Sequence, residues 1–207
     1  MRLIKEKLSN ESLAKRIFCL TCIFVIVFIG FTILSYYLLP EGLLKGKTSG
    51  SAWNNSDNTL ILAAQIFAWN SLSVIVIMFA SLFGKKKECE KNYLSLGYFV
   101  FVLLIGLNAV ILGTWSFSIE VPNITLMDRM IGIFDIVHRA GILEMIGQLF
   151  ITCSLAKIGI VLTNGMNTCT KKIKAVHLNK QEIIVFVMGI FLMMIAAIIE
   201  SGAINSL

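Results

Sequence analysis

Long apolar runs alternate with short polar stretches along this chain, and the runs set the expected architecture. A helix rising about 1.5 Å per residue needs about 20 apolar residues to cross about 30 Å of hydrocarbon. Five segments reach or approach that length: 17–39, 59–83, 94–117, 141–163 and 183–199. The first follows a basic stretch but is too long for a signal-peptide core and has no cleavage pattern before Pro40, so it is read as an uncleaved span.

The polar intervals differ in kind. Residues 46–58 (GKTSGSAWNNSDN) are rich in Gly, Ser and Asn and read as a loop. In 124–137 (ITLMDRMIGIFDIV), Ile124, Met127, Ile131 and Phe134 recur at helical spacing. That pattern predicts an amphipathic helix, interfacial or re-entrant, running into the fourth span. Residues 1–16 form a separate segment with five basic residues and a weaker amphipathic pattern (Leu3, Ile4, Leu8). A helix on an anionic leaflet and a solvated tail are both compatible with it. Residues 17–207 then make a single membrane domain. The expected fold is all-α, a polytopic membrane helix bundle of five transmembrane helices plus the outer helix.

Composition agrees. Hydrophobic residues make up 57% of 207 and charged residues 14%, with a mean hydropathy of +0.84. These values exclude a disordered chain and argue against a soluble enzyme. A net charge of +6 would suggest nucleic acid in a soluble protein. Here the positive charge lies in short runs between apolar segments, so no nucleic-acid partner is expected.

The placement of that charge predicts orientation. One set of alternate intervals holds Arg2, Lys5, Lys7, Lys15, Arg16, Lys85, Lys86, Lys87, Lys91, Lys171, Lys172, Lys174 and Lys180, thirteen in all. The other holds four: Lys45, Lys47, Arg129 and Arg139. The positive-inside rule puts the N-terminus in the cytoplasm and the C-terminus outside, in a multi-pass protein of the plasma membrane.

Polar groups within the spans are the candidate chemistry, because each costs free energy in hydrocarbon. In the fourth span Gly141, Glu144, Gln148, Thr152, Ala156, Gly159 and Thr163 form one stripe that faces other helices or a cavity. Lys157 lies off the stripe and is expected to snorkel toward the cytoplasmic end. Asn70 and Gln65 in the second span and Asn108 in the third complete the set. Asn70, Asn108 and Gln148 read most simply as packing hydrogen bonds. Glu144 reads as a substrate or ion-pair residue, with His138 and Arg139 as nearby partners. An ion pair with Arg139 that closes the helix start is the structural alternative.

Catalytic motifs are absent from the sequence: no G-x-S-x-G, H-E-x-x-H, P-loop or G-x-G-x-x-G occurs. His138 and His177 fall on opposite predicted sides, so no metal site is expected, and no cofactor. Five cysteines show no disulfide spacing, and Cys19-x-x-Cys22 sits inside an apolar run. Lys85, Lys86, Lys87, Lys171, Lys172 and Lys174 are candidates for docking a cytoplasmic partner or anionic lipid.

Three short elements resemble the stage II sporulation protein M family of small multi-span membrane proteins. They are Phe67-Ala68-Trp69-Asn70, Asn108-Ala109-Val110-Ile111-Leu112-Gly113 and Gly141-Ile142-Leu143-Glu144, in an order and spacing similar to the family's, over residues 58–165. Ala109 departs from a family Gly, and Arg139-Ala140 stand where Pro-His would be. The resemblance implies a bacterial helical membrane protein without catalytic chemistry of its own, working beside sporulation, peptide-maturation, export or immunity machinery. The expected function is a non-enzymatic membrane subunit of a larger complex, the membrane component of an ABC-type transporter for peptide (bacteriocin-like) export or immunity. Its partners would be the lipid bilayer, a cytoplasmic ATPase, other membrane subunits or a second copy of itself. A membrane scaffold that recruits other proteins is the alternative. An interfacial lipid or peptide enzyme using Glu144 and His138 is a third reading.

Overall fold

The computed structural model describes residues 2–45, 58–86, 92–116, 125–132, 136–164, 167–172 and 177–205. Seven helices and four short strands occur among them: α1 (Arg2–Leu8), α2 (Leu13–Leu38), α3 (Thr59–Ser81), β1 (Phe83–Lys86), β2 (Tyr93–Ser95), α4 (Gly97–Gly113), α5 (Leu126–Gly132), α6 (Ile136–Leu155), β3 (Val161–Asn164), β4 (Asn167–Thr170) and α7 (Lys180–Ile204).

Local chemistry sets the helix ends. α2 stops just before Pro40, whose ring disfavours helical backbone at the preceding residue, and Leu39 is extended at φ −113° and ψ 147°. α3 begins on Asn58, whose side chain accepts from the backbone N–H groups of Leu60 and Ile61. α4 closes with Trp115 in the left-handed region at φ 49°. The Trp115 N–H then donates to Leu112 and the Ser116 N–H to Ile111, a Schellman closure at a residue that is not glycine. α7 starts with a capping box between Asn179 and Glu182.

Three helices are long and apolar enough to cross a membrane: Leu13–Leu38, Thr59–Ser81 and Lys180–Ile204. They match the first, second and fifth expected spans. The third and fourth appear as shorter apolar helices, Gly97–Gly113 and Ala140–Leu155.

α6 is the inner helix. From Met145 to Ala156 all but two of its side chains are buried, and α2, α3, α4 and α7 pack around it. The surrounding helices turn large apolar residues outward, among them Phe18, Ile26, Phe79, Phe99, Leu103, Val187 and Phe191. A belt of that kind suits hydrocarbon rather than water.

Close helix approach depends on small residues. α6 and α7 touch where Gly147 meets Gly189: a Cβ on either would lie 2.7 Å from the other's carbonyl oxygen. α4 rests on α2 at Gly113, where a Cβ would lie 2.5 Å from the Thr32 carbonyl oxygen. Thr32 also donates to the Ala109 carbonyl at 3.4 Å. Ala109 and Gly113 thus lie on a packing face of α4.

Two expectations need correction. The chain is mostly helical but not all-α, because the two lysine-bearing intervals expected as loops contribute a four-stranded sheet in the order β2-β1-β3-β4. β1 pairs antiparallel with β2 and parallel with β3, joining two hairpins that are far apart in sequence. The helix expected within 141–163 ends at Leu155, so Gly159 lies in the following turn and Thr163 in β3. Of the helix expected over 124–137, the described parts are α5 and the first residues of α6, and residues 133–135 lie outside the described set.

The sheet closes one end of the bundle, called here the near end. Its inner face carries Gly84, Tyr93, Ser95 and Leu162, all buried. The outer face carries the exposed Phe83, Lys85 and Thr163. α1 sits at the same end, since the Tyr98 hydroxyl donates to the Leu8 carbonyl at 3.0 Å. At the far end the Gly42 N–H donates to the Thr114 carbonyl, and Asn205 Nδ2 to the Thr59 hydroxyl.

Candidate functional site

Two polar centres stand out against the apolar bundle. The first lies between α3 and α6. Asn70 Nδ2 donates to Glu144 Oε2 at 2.9 Å, and Gln148 Nε2 donates to Glu144 Oε1 at 2.8 Å. Gln148 is four residues beyond Glu144, so helical spacing places its amide over the carboxylate. Gln148 is buried, while Glu144 and Asn70 are half-buried. Both carboxyl oxygens of Glu144 therefore accept an N–H. Gln148 Oε1 is buried without a hydrogen-bond partner among the described residues. Thr152 and Ala156 continue the same face inward, so the expected stripe holds from Glu144 to Ala156.

The structure thus joins three of the expected site residues, Asn70, Glu144 and Gln148. Asn108 is half-buried on α4 and stays outside that pair of hydrogen bonds. His138 and Arg139 belong to the first turns of α6, but their side chains lie outside the described set, and so does the expected Arg139 ion pair. Glu200 of α7 is half-buried and within electrostatic reach of Glu144. Glu200 falls just past the last expected span, so hydropathy gives no signal of an intramembrane acid there.

The second centre is at the near end. Arg16 is completely buried and pairs with Glu182 through Nη2. The other oxygen of Glu182 accepts the Asn179 N–H at 3.0 Å, so one carboxylate caps α7 and neutralises α2's arginine. Arg16 Nε and Nη1 have no hydrogen-bond partner among the described residues.

Lys157, just past the end of α6, donates to the Ser9 carbonyl at 2.8 Å and to Asn92 Oδ1 at 3.4 Å. It reaches toward the near end, as expected of a snorkelling lysine, but its ammonium ends on protein groups. Burial, with help from the Arg16 charge, pushes the Lys157 ammonium below its ordinary value.

The Tyr93 ring fills the space left by two glycines. A Cβ on Gly84 would lie 2.5 Å from it and one on Gly159 2.6 Å. Its hydroxyl accepts the Gly159 N–H at 2.7 Å, and the Lys171 ammonium stands 4.8 Å from the ring centroid. Burial pushes the Tyr93 phenol above its ordinary value, against the opposing Gly159 hydrogen bond and Arg16 charge.

Among the docking candidates, Lys85, Lys171 and Lys172 are exposed and Lys86 is half-buried, all on or beside the sheet. Lys87 and Lys174 lie outside the described residues.

Comparison with protein-family models, with curated proteins and with solved structures finds no match to this chain. Among the described residues no group of His, Cys, Asp and Glu is arranged to hold a metal ion.

Proposed function

We propose that this chain is a non-enzymatic integral membrane subunit of a larger complex, the membrane component of an ABC-type system for peptide export or immunity. The carrying observation is the near-end sheet. Two lysine-bearing intervals, separated by α4, α5 and α6, pair through β1 and β3 into one ordered surface. Lys85 projects from its outer face, and Lys171 and Lys172 follow β4. A rigid basic ledge between helices is a suitable dock for an acidic surface on a cytoplasmic ATPase.

In this reading α4 and α6 complete five spans, and the near end faces the cytoplasm. The resemblance to the stage II sporulation protein M family is compatible with the site. Two of its three elements meet where Asn70 bonds Glu144.

The test is recovery of partners from mild detergent. Wild type should bring down an ATPase subunit. The Lys85→Glu, Lys172→Glu double variant, inserted at wild-type level, should recover about tenfold less, because reversed rim charges act on complementary surfaces. Recovery of other membrane proteins with no ATPase would favour a scaffold. Substrate movement by vesicles holding this chain alone would refute the subunit reading.

A further inference from the structure

The hydrogen bonds around Glu144 are one-sided. Both amide donors, Asn70 Nδ2 and Gln148 Nε2, are directed at the carboxylate. The capacity left unused beside them is an acceptor: Gln148 Oε1, on a side chain 1% exposed, has no partner among the described residues. Its own amide nitrogen is held 2.8 Å from Glu144 Oε1, so the amide that carries this oxygen is anchored to the carboxyl group.

Among the described residues the charged groups on the elements around Glu144 are few. α3 and α4 carry no ionisable acid or base between Thr59 and Ser81 or between Tyr98's neighbour Phe99 and Gly113. α2 carries Lys15 and Arg16 at the near end. α7 carries Glu200 within electrostatic reach and Lys180 and Glu182 at the near end. α6 itself carries His138 and Arg139 one to two turns earlier. Glu200 is a second acid in the same region.

A carboxyl group whose oxygens already hold two N–H donors, next to a spare amide acceptor and a second acid, is complementary to a donor-only cation. Primary ammonium has three N–H donors and no acceptor. Glu144 and Asn70 are half-buried rather than fully enclosed. We infer that Glu144 and the Gln148 amide oxygen form a seat for a primary ammonium group, such as the N-terminal or lysine amine of a peptide. Asn70 orients the carboxylate. The inference rests on the reading of the chain as a membrane subunit, but not on its ATPase partner, and the test uses this chain alone.

The purified full chain in detergent is titrated with methylammonium, tetramethylammonium or sodium chloride at matched ionic strength. Thermal unfolding is the readout. Methylammonium should raise the midpoint with saturation, while tetramethylammonium, which has no N–H, should not. Glu144→Gln should abolish the response, and Glu200→Gln should weaken apparent affinity about tenfold, within the cost of losing a charged partner. Glu11→Gln, an exposed acid at the near end, should respond as wild type. If Glu144→Gln does not fold, Gln148→Met serves in its place and should also lose the response. Equal responses to all three salts, a response to sodium alone, or a methylammonium response that survives in both Glu144→Gln and Gln148→Met would overturn the seat. Failure to recover an ATPase leaves this result untouched.

Discussion

At the scale of the residue, the Arg16–Glu182 pair shows how differently a charge reads in one dimension and in three. Arg16 belongs to a basic run that looks topogenic, and Glu182 to a polar interval before the last apolar segment. Their separation of 166 residues gives no local signal of pairing. Once paired, both are buried, and removing one leaves the other charged in an apolar setting. Glu182→Gln should therefore destabilise the folded chain by about 3–5 kcal/mol, including loss at the α7 cap. Arg16→Met combined with Glu182→Leu should recover much of that loss, because no uncompensated charge remains. Chemical unfolding in a single detergent measures both. A double variant no more stable than Glu182→Gln would show that the pair's geometry, rather than charge balance, holds α2 against α7.

At the scale of the element, the stripe of small and polar residues on α6 was legible, but its two functions were not separable. Glu144, Gln148, Thr152 and Ala156 do turn inward. A close backbone contact is made one face away, at Gly147 against Gly189, and neither glycine belongs to the stripe. Gly141, which does, faces open space within 4 Å. Gly147→Ala should cost about 1–3 kcal/mol, since its Cβ would meet a backbone oxygen that cannot rotate away. Gly141→Ala should leave stability at wild-type level or slightly above it. Unfolding midpoints of the two variants, compared directly, check the contrast. The strands were illegible for a related reason: β1 to β4 are three or four residues long, too short for alternation to register. Their pairing depends on α3 and α6 ending side by side.

At the scale of the whole molecule, the alternation of basic intervals has a structural counterpart. Lys15, Arg16, Lys85, Lys86, Lys171, Lys172 and Lys180 all lie at the near end, and Lys45 at the far end. If the near end is cytoplasmic, an impermeant maleimide applied to intact cells should label Met127→Cys and spare Lys85→Cys in a cysteine-free background. Both positions are exposed, so lack of labelling reports sidedness rather than burial. Labelling of Lys85→Cys before permeabilisation would reverse the orientation.

Hydropathy and charge spacing by themselves determined that the chain is built from long apolar helices, where the first, second and fifth of them lie to within about five residues, and which helix carries an inward polar face. Those properties follow from burial and capping, which act on neighbours along the chain. Only the tertiary structure decided that α6 is the inner helix, that Asn70 rather than a residue of α4 meets Glu144, that Arg16 finds Glu182, and that two distant lysine-bearing intervals form one sheet. Each of these is a contact between elements remote in sequence. Helix periodicity says which way a side chain faces, but which partner stands opposite depends on how the helices are arranged around one another.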